Sequence, residues 1–212
     1  MPDYSYERSA RESGFATVAG TDEAGRGPLC GSVCAAAVIL PEGLTIPGLD
    51  DSKKLTEKKR EALFDVITEN ALSYGVAFAS VGEIDRLNIL NAAQLAMRRA
   101  VSMLDPVPDL VLVDGNVARG FGMATKTVIG GDGISMSIAA ASVLAKVSRD
   151  RLCAEWDKEY PQYGISKHKG YATKDHVAAL LRYGPCPIYR RTFLSKILTG
   201  TQYEDFLSDR SE

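Results

Sequence analysis

The chain has 212 residues, 45% of them hydrophobic, and carries 25 Lys and Arg against 27 Asp and Glu, for a net charge of −2. That is enough apolar material for a sizeable core in one globular domain, with room for an appendage. No apolar run approaches the roughly 20 residues a membrane helix needs, and the opening "MPDYSYERSARESG" lacks the hydrophobic heart of a signal peptide, so a cytoplasmic protein with no membrane partner is expected.

Residues 1–15 read as a polar tail expected to fray, as does the acidic tail 201–212. "FATVAG" then reads as a short β-strand. In a regular strand successive side chains point to opposite faces, so the adjacent Asp22 and Glu23 share a site only if the strand ends or distorts there. Gly25 and Gly27 suit a tight turn or a close approach to the backbone, and Arg26 between them offers a planar fork of donors for a phosphate or a sugar edge. The same letters also make a plain surface turn.

"SVCAAAVIL" (32–40) is a second strand, joined by a short link that predicts an antiparallel hairpin. Thr56 caps a helix through Asn70 with Leu63, Phe64 and Ile67 on one face, and "SYGVAFASV" (73–81) alternates like a strand. A short turn at 83–86 precedes a long helix at 88–104. "DLVLVDG" (109–115) and "MATKTVIGGDG" (123–133) read as further strands, followed by one helix over 135–160. Its first half, "SIAAASVLAK", is rich in small residues that allow close approach. Residues 161–200 form a helical C-terminal extension on a core of residues 16–160, ending in a short basic helix near 190–198. A hairpin followed by mixed strands and helices argues for an α/β or α+β sheet covered by helices.

Charge is uneven: residues 140–200 carry +6, residues 1–139 carry −5 and the last twelve −3. The basic stretch suits an acidic polymer or, more blandly, a solvated face. The four cysteines have no zinc or disulfide spacing. Cys30 and Cys34, both read on one strand, lie too far apart for one metal, so reduced and mostly buried thiols are expected.

Three apolar runs end alike, in "VAGTDEAG", "LVLVDG" and "VIGGDG", each with an acid next to glycine just beyond a strand. One such ending is an ordinary turn. Three of them bring Asp22 with Glu23, Asp114 and Asp132 to adjoining strand ends, where carboxylates repel unless cations offset them. Two divalent ions would balance the four charges, and all-oxygen ligands suit Mg²⁺ or Mn²⁺ over Zn²⁺. Such a pair can drive in-line phosphoryl displacement. Lys53, Lys54, Lys146, Lys167 and Lys169 are candidate phosphate contacts or solvated charges, and Ser142 faces nucleic acid or packs a helix. His168 and His176 read as a loop residue and a helix-surface residue, not as a zinc pair or a general base.

"DEAGRGP", "DSKKL", "VDG", "GGD", "AAASVLAKVSRD" and "KHKGYATKDH", in this order from about residue 16 to 195, resemble ribonuclease HII, the type 2 ribonuclease H family. The resemblance implies a ribonuclease H-like fold: a mixed five-stranded sheet with helices on both faces and a helical C-terminal part. It implies an endonuclease acting on the RNA strand of RNA–DNA hybrids and on single ribonucleotides in duplex DNA. It places the metal-binding acids at Asp22, Glu23, Asp114 and Asp132, and ribonucleotide contacts at Gly25, Arg26 and Gly27. Tyr171 would pack on the sugar that follows. Partners are then the hybrid and ribonucleotide-containing DNA, with a monomer expected. Where the family has "PIHRRSF" this chain has "PIYRRTF", with Tyr189 in place of histidine. The longer type HIII carries an extra N-terminal domain, and the roughly fifteen residues before the first strand here argue for type HII.

Overall fold

A computed structural model describes residues 1–208. Five strands form one sheet in the order β3-β2-β1-β4-β5. β1 (Val18–Ala24), β2 (Val33–Ile39) and β3 (Ser73–Ala79) make an antiparallel meander, with Gly20 opposite Val38 and Cys34 opposite Phe78. β4 (Leu110–Asp114) runs parallel to β1, with Thr21 beside Val113, and β5 (Ala124–Val128) runs parallel to β4. This is the mixed sheet expected, and the hairpin is antiparallel as read.

Helices cover both faces. α5 (Met136–Glu159) lies on one face, where Cys34, Ala36 and Val38 of β2 meet Ala140 and Leu144, with Leu63 and Ile67 of α2 (Glu57–Asn70) alongside. α4 (Ile89–Val101) covers the other with Ala92, Ala96 and Met97 against Ala35 and Ala37. The alanine run in β2 leaves room for a helix on either side. Gly20 does the same in β1: a Cβ there would lie 2.3 Å from the Ser137 carbonyl carbon, so only glycine lets α5 start this close to the sheet. Among the described residues no helix is long and apolar enough to cross a membrane.

Several expectations change. The N-terminal residues do not fray: α1 (Ser5–Glu12) packs on the fold, and Glu7, 2% exposed, accepts hydrogen bonds from the Ser135 hydroxyl and from the backbone and hydroxyl of Ser137. A carboxylate thus sits at the positive end of α5, a long-range contact that local polarity conceals. The 83–86 turn is part of a helix, α3 (Val81–Leu87), opened by a Ser80–Glu83 capping box, and α4 begins at Ile89. Strand β5 ends at Val128, and Asp132 lies on the 3-10 turn Gly131–Gly133. Cys30 lies outside β2 and bridges to Tyr189, though Cys30, Cys34 and Cys153 are free and buried as expected. The C-terminal part is helical, with α6 (Ile165–His168), α7 (Lys174–Tyr183) and α8 (Arg191–Leu198) sharing a small core around Leu180 and Leu194 with Leu29, Cys30 and Cys153 of the rest of the fold. Residues 201–207 join it through Tyr203 and Phe206, while 209–212 of the acidic tail lie outside the described residues.

Candidate active site

Parallel pairing of β1 with β4 brings the end of one strand level with the end of the other, so Asp22 and Glu23 come beside Asp114. The turn after β5 adds Asp132, and the Gly131 amide donates to Asp114 Oδ1 at 2.7 Å, fixing that carboxylate against the turn. Asp22 and Asp132 are 4% and 6% exposed, which is low for carboxylates. Burial, and then the charges of Glu23, Asp114 and Asp132, push the Asp22 carboxyl well above the usual carboxylate range. Burial, and then Asp132, raises Asp114. Glu23 is raised by burial as well, although Arg26 Nη1 at 3.0 Å from Oε1 draws it back.

One cation already sits among these acids. Lys53 Nζ lies 2.7 Å from Asp132 Oδ2. Burial works against the ammonium, but the bond to Asp132 and the charges of Asp132, Asp22 and Asp51 together outweigh it and raise Lys53 above its ordinary value. Among the described residues no three His, Cys, Asp or Glu side chains already form a metal-ready cluster. The acids are electrostatic neighbours and not a closed cage. Their donor set still fits a hard divalent cation: oxygen throughout, mutually repelling, and with an ammonium drawn onto one member.

The loop after β1 faces this group. Gly25 has φ +95°, a conformation that side chains avoid, and a Cβ there would lie 1.9 Å from Arg149 Nε. Gly27 approaches the Tyr171 ring: its Cβ would stand 3.2 Å from the ring edge. Arg26 is half exposed, and Glu23, Arg26, Gln94, Asp114 and Asn116 line a small pocket between loop and acids. The structure therefore brings the four acids, Gly25 to Gly27, Lys53 and the exposed Tyr171 ring into one neighbourhood.

The other sequence candidates behave differently. Lys54, Lys146, Lys167 and Lys169 pair with Asp50, Asp150, Asp175 and Glu57. Ser142 is buried and bonds the Ala139 carbonyl, so it packs a helix and does not face a ligand. His176 is not on the helix surface: it is fully buried, with Nδ1 2.9 Å from the Tyr171 carbonyl and Nε2 2.8 Å from the Tyr189 hydroxyl. A carbonyl only accepts, so Nδ1 carries the proton and Tyr189 donates to Nε2. Burial lowers His176 to about 4. His168 stacks on it at 4.1 Å and bonds the Tyr163 carbonyl.

Sequence reasoning passed over two residues at this site, Arg149 and Arg190, which are 1% and 0% exposed. Arg149 donates to the Cys30 and Lys169 carbonyls and Arg190 to those of Gly25, Arg26, Pro28 and Gly31. The signal for Arg149 is its place on the stripe Ser142, Ala145, Arg149, Cys153, spaced for one buried helix face. Arg190 has no comparable local signal.

The chain and its fold are similar to known proteins. The family model described as Ribonuclease HII matches residues 19–196. A ribonuclease HII from Ruminiclostridium cellulolyticum is 52% identical over 194 residues, covering 92% of this chain and 76% of that protein. One from a Polaromonas species is 58% identical over 176 residues, covering 83% and 88%. The crystal structure of ribonuclease H2 from Pyrococcus horikoshii superposes with a TM-score of 0.67 at 26% identity, over 92% of this chain and all of that one. With most of its length matched, and with the mixed sheet of that fold, the chain belongs to the ribonuclease HII family of endoribonucleases.

Proposed function

We propose that this protein hydrolyses the RNA strand of RNA–DNA hybrids and cuts on the 5′ side of single ribonucleotides in duplex DNA, leaving a 3′-OH and a 5′-phosphate. The observation that carries this reading is one juxtaposition. Four carboxylates with raised or crowded charge stand beside a glycine–arginine–glycine loop that is open to a sugar.

In this reading Asp22, Glu23, Asp114 and Asp132 hold two divalent ions, Mg²⁺ or Mn²⁺. Activation of the attacking water and charge stabilisation at the leaving oxygen are what such ions supply when bound. The chain's own groups do the rest. Gly25 to Gly27 bring backbone close to the ribose, and the 2′-OH is recognised there without serving as the nucleophile. The Tyr171 ring beside Gly27 packs on the following sugar. Lys53 and Lys146 exchange Asp132 and Asp150 for phosphate oxygens as substrate arrives. Arg26 keeps Glu23 oriented through its 3.0 Å bond.

The test is a DNA duplex with one ribonucleotide, incubated with and without Mg²⁺, followed by end-group analysis. The expected products carry a 3′-OH upstream and a 5′-phosphate on the ribonucleotide, and form only with the metal. A 2′,3′-cyclic phosphate, or equal cutting of the all-DNA duplex, overturns the mechanism.

A further inference from the structure

Arg190 is a fully buried guanidinium that, among the described residues, makes no ion pair with a carboxylate. Such a charge is costly to bury unless its donors are all met. Here neutral carbonyls meet four of the five. Nη2 donates to Gly25 at 2.7 Å, Nη1 to Arg26 at 3.0 Å and Pro28 at 2.8 Å, and Nε to Gly31 at 2.8 Å. A single planar fork thus gathers four carbonyls from seven consecutive residues, and Lys could not reproduce that geometry from one point charge.

The direction of those carbonyls has a consequence on the other side of the loop. In a planar trans peptide the C=O and the following N–H point opposite ways. With the Gly25 and Arg26 carbonyls turned in to Arg190, the amides of Arg26 and Gly27 are turned out. Among the described residues neither amide donates to another protein group, whereas those of Leu29 and Gly31 bond the Gly170 and Ile188 carbonyls. Two neighbouring donors are therefore presented beside the acids and Tyr171, held from behind.

We infer that Arg190 is a positioning residue for ribose selection: it never touches substrate, and it fixes the loop so that the Arg26 and Gly27 amides meet a ribose hydroxyl. The inference rests on the functional reading above. Arg149 supports the same loop from the side of Gly25 and Cys30. Phe193, with its ring centroid 5.1 Å from the Arg190 guanidinium, closes the brace.

The experiment compares wild type with Arg190→Lys and Arg190→Gln, the second removing the buried charge while keeping an amide donor pair. Binding to a duplex with one ribonucleotide and to its all-DNA counterpart is measured in a chelator, so that no turnover intervenes, and kcat/KM is measured with Mg²⁺. Wild type should favour the ribonucleotide duplex. Each folded variant should lose that preference and about 10²-fold in kcat/KM, the scale of a misplaced contact. A folded variant with wild-type preference and kcat/KM overturns the inference. Should neither variant fold, amide hydrogen exchange on wild type decides: residues 26 and 27 should gain protection from the ribonucleotide duplex and not from the DNA one, and equal protection overturns it. A wild type that binds both duplexes alike removes the functional reading itself.

Discussion

The molecule buries charge in two adjoining places and relieves it in two different ways. At the strand ends, Asp22, Asp114 and Asp132 face one another, and burial together with like charge raises Asp22 and Asp114. Among the described residues, Lys53 and Arg26 are the cations that pair with the four acids. Beneath the 25–31 loop, Arg149 and Arg190 are just as deeply buried, and burial first, then repulsion from Arg149, lowers Arg190 to about 9. Yet these cations are met by six backbone carbonyls between them. In the proposed reading the acids are relieved by a bound cation, whereas the guanidiniums are met in advance by backbone carbonyls, apart from the buried Arg149 Nε, which has no partner. Changes at the acids should therefore alter chemistry and spare the fold, while changes at the brace should disturb the fold first.

The sharpest test of that division is Asp132→Asn. Loss of one charged member of the four acids proposed to hold the ions should lower turnover by about 10²–10³-fold or more, while the melting temperature and hybrid affinity stay near wild type. Wild-type activity in the folded variant would remove Asp132 from the site. Asp114→Asn should behave alike, although its bond from Gly131 adds a structural share.

Gly25→Ala and Gly27→Ala probe the brace two residues apart. At Gly25 the new methyl meets buried Arg149 at 1.9 Å in a backbone conformation of φ +95°. The strain and forced repacking should cost about 2–4 kcal/mol in a denaturant melt. At Gly27 it meets only the edge of Tyr171, a 48% exposed ring that can swing away. Gly27→Ala should cost under about 1 kcal/mol and act mainly on KM for ribonucleotide substrates. Equal destabilisation by the two variants would mean that Arg149 yields easily and braces nothing.

His176 extends the comparison into pH. Its pKa is lowered, by burial first, to about 4 from the ordinary 6.5, so the folded protein holds it neutral between Tyr171 and Tyr189. The stability this contributes is present above pH 6.5 and is lost as pH falls through the window towards 4, by up to about 3 kcal/mol. In His176→Gln that acid loss should shrink, as urea melts at pH 7 and pH 4 would show. An unchanged acid loss would move its origin to other groups.

How much of this was legible in the sequence follows the same division. The acids were readable because each chemical requirement is local: an apolar run, an acid, a glycine. Their convergence followed from strand order, even though Asp132 comes from a 3-10 turn and not from a strand end. The helix cap at Thr56 and the antiparallel hairpin were also readable from neighbours in the chain. Glu7, His176 and Arg190 were not. Each is a polar residue buried by partners 128, 13 or about 160 positions away, and local polarity predicts a surface position for all three. Tyr189 stands in a similar light: its hydroxyl has its meaning only through His176.

The smallest expected effect inverts the usual sign of a mutation at a functional site. Asp22 is 4% exposed, and its charge is opposed by burial and by Glu23, Asp114 and Asp132 in turn. A carboxyl raised in the folded state favours folding most below its unfolded pKa, and that contribution is lost as pH rises through the folded value. At neutral pH, far above the unfolded value, Asp22 therefore weighs against the metal-free fold. Asn keeps the oxygen that accepts the Glu23 amide at 2.7 Å and removes the charge. Asp22→Asn should raise the melting temperature of chelated protein by about 2–4 °C, the shift that about 1 kcal/mol produces in a chain of this size. Added Mg²⁺ should then stabilise wild type and leave the variant nearly unmoved, because the repulsion that a bound cation relieves is already reduced. A lower melting temperature in chelator would show that Asp22 is held by contacts that outweigh its crowding. An equal Mg²⁺ shift in both proteins would place the ion elsewhere.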